Sequence, residues 1–271
     1  MSKPTVLFIF TSADTLLNGA NVLAIQSPER STRTFIGQIP RPRLSDQNAD
    51  KGQKVGWYLP EAAHPYYALT SSGEIAVDAA SPLGGTPPLD QESVKNFTDK
   101  ESVDFLEKDE VAVKFWKNTK KISDVKAEDY AAIFVVGGHG PLIDLATDQD
   151  FKKLCEEFYA TEKPVTAVCH GPAALLQVKA PNGDSILKGV NVTGFSDAEE
   201  AQTPYADYVN ILPFSLEKRL KEESGGRYKC AEPWASEVIW DKGILTGQNP
   251  ASAKGLGEKL KSLLLKTEMK A

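Results

Sequence analysis

Histidine and cysteine are scarce in this chain, with three of each among 271 residues. A small, odd cysteine count excludes a framework of paired disulfides and fits a reducing compartment. Long apolar runs are lacking too. The longest, residues 6–10 and 131–136, have the length of a buried strand, far short of the ~20 residues that a membrane-crossing helix needs. No block of five basic residues occurs, and Lys plus Arg, 31, is outnumbered by Asp plus Glu, 37. A net charge of −6 disfavours a nucleic-acid partner, since affinity for a phosphate backbone is largely cationic. The N-terminus carries one lysine and a short apolar run, less than the core of about 7–15 residues in a signal peptide. These absences lead to the expectation of a cytoplasmic or nuclear protein with neither a membrane nor a nucleic acid as partner.

What is present is the composition of a globular protein: 41% hydrophobic and 25% charged residues. A chain of this length hides roughly 75% of its surface on folding, enough for a core without staples. Buried strands are expected over 5–11, 74–79, 130–136, 164–168 and 190–195. Helices are expected over 59–71, 103–116, 148–159, 171–178, 213–223 and 250–265. A short strand over 228–231 and a hairpin over 237–246, turning at Asp241-Lys242-Gly243, complete the pattern. Strands alternating with helices predict a single α/β domain over 1–271. Its parallel sheet should be covered on both faces, with its site at the carboxyl ends of the strands. A long insertion at about 12–55, rich in Arg, Pro, Ser, Asn and Gly, either wraps the surface and borders that site or is disordered.

The strongest chemical signal is Val165-Thr166-Ala167-Val168-Cys169-His170-Gly171-Pro172. A β-branched strand runs into a thiol flanked by small residues, with a helix expected at once, the layout of a nucleophile elbow. A helix N-terminus at that point would lower the thiol pKa, and the His170 N–H would face charge developing near the sulfur. The competing reading is a buried cysteine that merely ends a strand. A second turn, Val135-Val136-Gly137-Gly138-His139-Gly140, either supplies backbone N–H groups to an oxyanion hole or is a tight strand-to-helix connection. It lacks the G-x-G-x-x-G pattern of a dinucleotide site.

The three histidines are His64, His139 and His170, and none follows position 170. A histidine base far downstream of Cys169 is therefore excluded. The base must be His170, an upstream histidine or a carboxylate. Three scattered histidines show no metal-ligand spacing, so no metal is expected, although His64 could touch substrate or an ion. Cys155 reads as core-facing on a helix and Cys230 as structural. Trp57, Trp116, Trp234 and Trp240 read as core or interface.

Taken together, Ala167-Val168-Cys169-His170-Gly171-Pro172-Ala173, Gly137-Gly138-His139-Gly140 and Thr193-Gly194-Phe195-Ser196-Asp197-Ala198-Glu199-Glu200 resemble the ThiJ/PfpI superfamily. Leu59-Pro60-Glu61-Ala62-Ala63-His64-Pro65 and Leu245-Thr246-Gly247-Gln248-Asn249-Pro250 extend the likeness over about 4–11 and 56–266. Within it the chain resembles the heat-shock-chaperone-like branch of glutathione-independent glyoxalases. The resemblance implies a flavodoxin-like, class I amidotransferase-like parallel sheet sandwich with a cysteine elbow. It implies Cys169 as nucleophile, His170 as adjacent acid/base and Glu200 as the carboxylate orienting His170, with Glu199 one register slip away. It implies Glu61 against the sulfur as proton shuttle, and the Gly138 and His170 amides as oxyanion hole. His139 and His64 are candidate pocket residues. The implied reaction converts methylglyoxal, a small 2-oxoaldehyde, to lactate without cofactor or metal, in a homodimer. Competing functions are a deglycase or other hydrolase using the same elbow, a redox sensor, and a holdase chaperone exposing Trp57, Tyr58, Tyr66 and Tyr67.

Overall fold

The apolar run near the N-terminus forms β1 (Thr5–Ile9), which lies inside a seven-stranded sheet of order β3-β2-β1-β4-β5-β7-β6. The computed structural model describes residues 3–16, 54–203 and 214–268. Most of the expected insertion lies outside these residues. Its two ends are joined, since Thr15 bridges Lys54 antiparallel and the Val55 N–H donates to the Asp14 carbonyl at 3.0 Å.

After the insertion come α1 (Leu59–Thr70), β2 (Ala76–Ser81) and α2 (Gln91–Asn96), the last capped by the Asp90 carboxylate. The helix expected over 103–116 is broken. α3 (Lys100–Val103) runs into a π-helical turn, Asp104–Lys108, and α4 (Glu110–Lys117) starts afresh. The break falls at Asp109, whose side chain accepts the N–H groups of Val111 and Ala112 and so caps a new helix.

Next follow β3 (Lys120–Lys121), β4 (Ala132–Val135), α5 (Gln149–Ala160) and β5 (Val165–Val168). The chain then forms 3-10 turns over Gly171–Gln177 where an α-helix was expected. It closes through α6 (Asp197–Glu200), α7 (Leu216–Glu223), β6 (Val238–Asp241), β7 (Ile244–Gly247) and α8 (Ala253–Glu268).

β1, β2, β3, β4, β5 and β7 are parallel, and β6 pairs antiparallel with β7 at the edge. The β6–β7 turn holds Lys242 and Gly243 at φ 48° and 85°, the two left-handed residues that a tight hairpin requires. β4 and β5 are buried at every residue, as a parallel sheet covered on both faces demands. Phe8 stacks on Phe134 with ring centroids 4.7 Å apart. Beside them Phe10, Phe105 and Trp116 pack edge-on or tilted around Trp57.

Two expectations are corrected here. Residues 190–195 are not a strand of the sheet. Val192 makes only an isolated bridge to Tyr228, the Thr193 N–H is taken by the Thr246 hydroxyl, and the Phe195 N–H by the Cys169 carbonyl. The segment thus lies across the ends of β5 and β7, because β6 already occupies the free edge of β7. The aromatic surface proposed for a holdase is not a surface. Trp57 and Tyr66 are buried in the core, while Tyr58 and Tyr67 are half-buried.

Candidate active site

β4 and β5 are neighbours, so the two glycine-flanked turns that follow them meet at one sheet edge. Cys169 sits there at φ 59°, the left-handed region that non-glycine residues rarely occupy. Both of its backbone groups are tied: its N–H donates to Gly247 and its carbonyl accepts from Phe195, each at 2.9 Å. Such fixation at a strained residue is what holds a side chain outside the regular strand direction. The opposing turn must be glycine. A Cβ on Gly137 would lie 2.2 Å from Glu61 Oε2 and 2.5 Å from the Val168 carbonyl. Gly138 has φ 88°, and a Cβ there would lie 2.3 Å from the Gly56 carbonyl.

Glu61 stands in the first turn of α1 and is fully buried. Neither of its carboxyl oxygens has a hydrogen-bond partner of good geometry among the described residues. Burial pushes its pKa up to about 8, while the Cys169 thiol and the Gly138 amide pull the other way. The thiol itself is pushed well above its ordinary value, first by burial and then by the Glu61 charge. This reverses the expected helix-terminus effect, and two buried acids in contact explain it: neither can lose its proton cheaply while the other is ionised. The Gly138 N–H opposes the shift at both.

On the other side of the sulfur, His170 Nδ1 is 3.4 Å from Cys169 Sγ, and His170 Nε2 is 2.7 Å from Glu200. The second oxygen of Glu200 is 2.8 Å from His139 Nε2, and the two imidazoles lie 4.2 Å apart, centroid to centroid. Burial opposes the charge on Glu200, but His170 and His139 overcome it and hold the carboxyl well below the usual range. Burial, with His139 beside it, lowers the pKa of His170 despite the opposing pull of Glu200. A neutral His170 that donates Nε2–H to Glu200 presents a bare Nδ1 to the thiol.

Glu199 points elsewhere. It completes a capping box with Ser196 and accepts from Trp234 N–H, Gln248 Nε2 and Asn249 Nδ2. Adjacent carboxylates therefore have separate surroundings. Asn249, which also caps the turn before α8, ties the end of β7 to this network.

The sulfur and His170 open into a cavity of about 430 Å³. Its apolar wall is Tyr58, Phe97, Phe195 and Trp234, with Asn96 and Gln202 among its polar groups. Phe195 packs on the His170 ring, 4.5 Å between centroids. His139 lines this cavity. His64 does not; it faces Asp99 at 3.1 Å, between α1 and α3. Cys155 is buried, and burial raises its pKa, whereas Cys230 is exposed. Sequence reasoning did not find the aromatic wall or the pairing of His139 with Glu200. Two wall residues had a nearby signal: Tyr58, three residues before Glu61, and Phe195, within the Thr193–Glu200 motif.

Spacing along the chain was also a poor guide to metal ligands. One ring nitrogen each of His139 and His170 and a Glu200 oxygen lie within 4.8 Å of one another, brought together from three separate turns.

Fold and site together define an α/β protein with a cysteine elbow flanked by an imidazole–carboxylate pair and a buried acid. A model of the DJ-1/PfpI family matches residues 60–262, and the chain belongs to that family. It is 34% identical over 207 residues to Glyoxalase 3 of Candida albicans, covering 74% of this chain and 86% of that protein. It is 31% identical over 207 residues to the glutathione-independent glyoxalase HSP31 of Saccharomyces cerevisiae, with the same coverage of 74% and 86%. The crystal structure of glyoxalase III from Candida albicans superposes with a TM-score of 0.75 at 28% identity, covering 96% of each chain.

Proposed function

We propose that this protein is a glutathione-independent glyoxalase that converts methylglyoxal to lactate. The observation that carries the reading is the strained Cys169 thiol, held between a bare imidazole nitrogen and a buried, protonatable carboxyl.

In this reading His170 Nδ1 takes the thiol proton and the sulfur attacks the aldehyde carbon. A C–S bond forms, and the carbonyl oxygen becomes the hydroxyl of a hemithioacetal. The Gly138 and His170 amides face the oxygen as charge builds on it. Glu61, ionised, then removes the hydrogen of the former aldehyde carbon. Returned to the neighbouring carbon, while the hydroxyl proton passes from the first oxygen to the ketone oxygen, that proton completes the conversion of the ketone to an alcohol and of the first carbon to a thioester. A carboxyl with a pKa near 8 is matched to both halves of this transfer. Water activated by His170 hydrolyses the thioester, releasing lactate and restoring the thiol. Glu200 holds His170 in the tautomer that leaves Nδ1 bare, and His139 fixes Glu200. Every atom comes from substrate, water and these side chains, with no cofactor taking part.

The relatives named as glyoxalases support this reading. No described helix is long and apolar enough to cross a membrane, and the three cysteines are unpaired. A site of action in the reducing cytoplasm or nucleus, as a homodimer, completes the proposal. Sedimentation of the purified protein at several concentrations tests the dimer.

A second reading has one observation in its favour. The cavity is far larger than a three-carbon substrate needs and would admit a glyoxal adduct on a longer amine or thiol, the substrate of a deglycase. The deciding measurement is lactate formed from methylglyoxal without glutathione, wild type against Cys169→Ala. Turnover lost in the variant is the expected result. Equal lactate from both proteins, or none from wild type with release from glycated amines instead, overturns the glyoxalase reading.

A further inference from the structure

The geometry points to an inhibitory zinc site formed by His139, His170 and Glu200, separate from the thiol. Two imidazoles and one carboxylate are a zinc donor set. Here all three are buried, at 4%, 2% and 6% exposure. The two ring nitrogens already converge on one carboxylate, each on its own oxygen. Donors in a tetrahedral zinc site stand about 3.3 Å apart, given bonds of about 2.0–2.1 Å. The three donors here lie within 4.8 Å of one another, so closing on an ion asks for side-chain movement only.

A route and a fourth position are also present. A second cavity of about 170 Å³ touches His170 and Glu200, and Ser196, Asp197 and Ser215 line it too. These oxygens suit a hydrated cation, and a water retained there would complete the coordination. Zinc replaces the two N–H···O contacts. Each imidazole stays neutral by carrying its hydrogen on Nδ1 while the Nε2 lone pair goes to the metal. For His170 this reverses its role toward the sulfur: Nδ1, 3.4 Å from Sγ, becomes a donor and can no longer accept the thiol proton. Inhibition follows without any metal–sulfur bond.

The effect on turnover rests on the glyoxalase reading; the binding itself does not. The test is zinc binding to the full-length Cys169→Ser protein, measured by competition with a chromophoric chelator. One equivalent retained is expected, weakened by at least about tenfold when His139→Asn is added. Binding lost with Cys169→Ser, or unchanged by His139→Asn, overturns the site. X-ray absorption of the wild-type zinc complex gives an answer even if His139→Asn misfolds. Nitrogen and oxygen neighbours alone are expected, and a sulfur neighbour near about 2.3 Å or failure to bind one equivalent overturns it. In wild type, methylglyoxal turnover should fall with added zinc and return with chelator. Turnover that persists in the loaded enzyme refutes the inhibitory role, whereas a protein with no turnover but with the expected binding refutes only the glyoxalase reading.

Discussion

Glu61 is a carboxyl group whose surroundings favour its neutral form. Its folded pKa is raised from 4.5 to about 8 by burial. Between those values the native state holds a proton that the unfolded chain has lost, so stability falls as pH rises through that window. Glu61→Gln removes this cost. The variant should match wild type near pH 4 and be more stable at pH 8, by an amount on the order of a few kcal/mol. Its turnover should nevertheless fall by about 10²–10⁴-fold, the usual contribution of a general acid–base group. Denaturant melts at the two pH values check the first statement, and wild type at least as stable as the variant at pH 8 refutes it. The paired carboxylates give a second contrast. Glu200→Gln should remove most turnover and leave the fold intact. Glu199→Ala strands the buried donors of Gln248 and Asn249 and the Trp234 N–H. That costs about 3 kcal/mol or more, roughly 6–12 °C in Tm at this chain length. Melting curves and turnover for both variants decide it, and a Glu199 variant with native Tm would show that the network is not structural.

At the scale of elements, the site depends on how closely the turns after β4 and β5 approach. Gly137→Ala drives a methyl into Glu61 and the Val168 carbonyl, so either the carboxyl or the end of β5 must move. Turnover should be lost and Tm should drop. Gly73→Ala, also at positive φ (71°) but in open space, should cost only about 1–2 kcal/mol of backbone strain and keep its turnover. An active Gly137→Ala enzyme would mean that the contact is not restrictive. These two turns were legible in the sequence because an apolar β-branched run stopped by small residues reports a buried strand and a sharp exit, both local properties. The hairpin at Lys242-Gly243 was legible for the same reason. The break at Asp109 was not, because helical spacing of Phe105, Leu106, Val113 and Trp116 continues across it and shows which residues are buried, not where a cap intervenes. Residues 190–195 look like a strand because β-branched and apolar residues dominate and most are buried, but burial does not say which edge is free. His139 and Glu200 are 61 positions apart, and no local pattern connects them.

At the scale of the whole molecule, the two ends of the described chain are interlocked. β1 lies between β2 and β4, and β7, much later in the sequence, completes the same sheet. The closing helix α8 packs across α1, where a Cβ on Gly257 would come within 2.8 Å of Pro65 Cα. The inner strands β1, β4, β5 and β7 come from both ends of the described chain, so the chain should unfold as one domain. Fluorescence reports Trp57 and Trp116 in the core together with Trp234 and Trp240 near the surface, while far-ultraviolet circular dichroism reports the helices. In denaturant the two signals should move through a single, coincident transition. Gly257→Leu forces α8 away from α1 and should shift both curves together. Because α1 carries Glu61, that variant should also lose turnover under conditions where it is still folded. Two separated transitions, or a Gly257→Leu protein that melts early while keeping full turnover until it melts, would show that the packing of α8 on α1 is independent of the site.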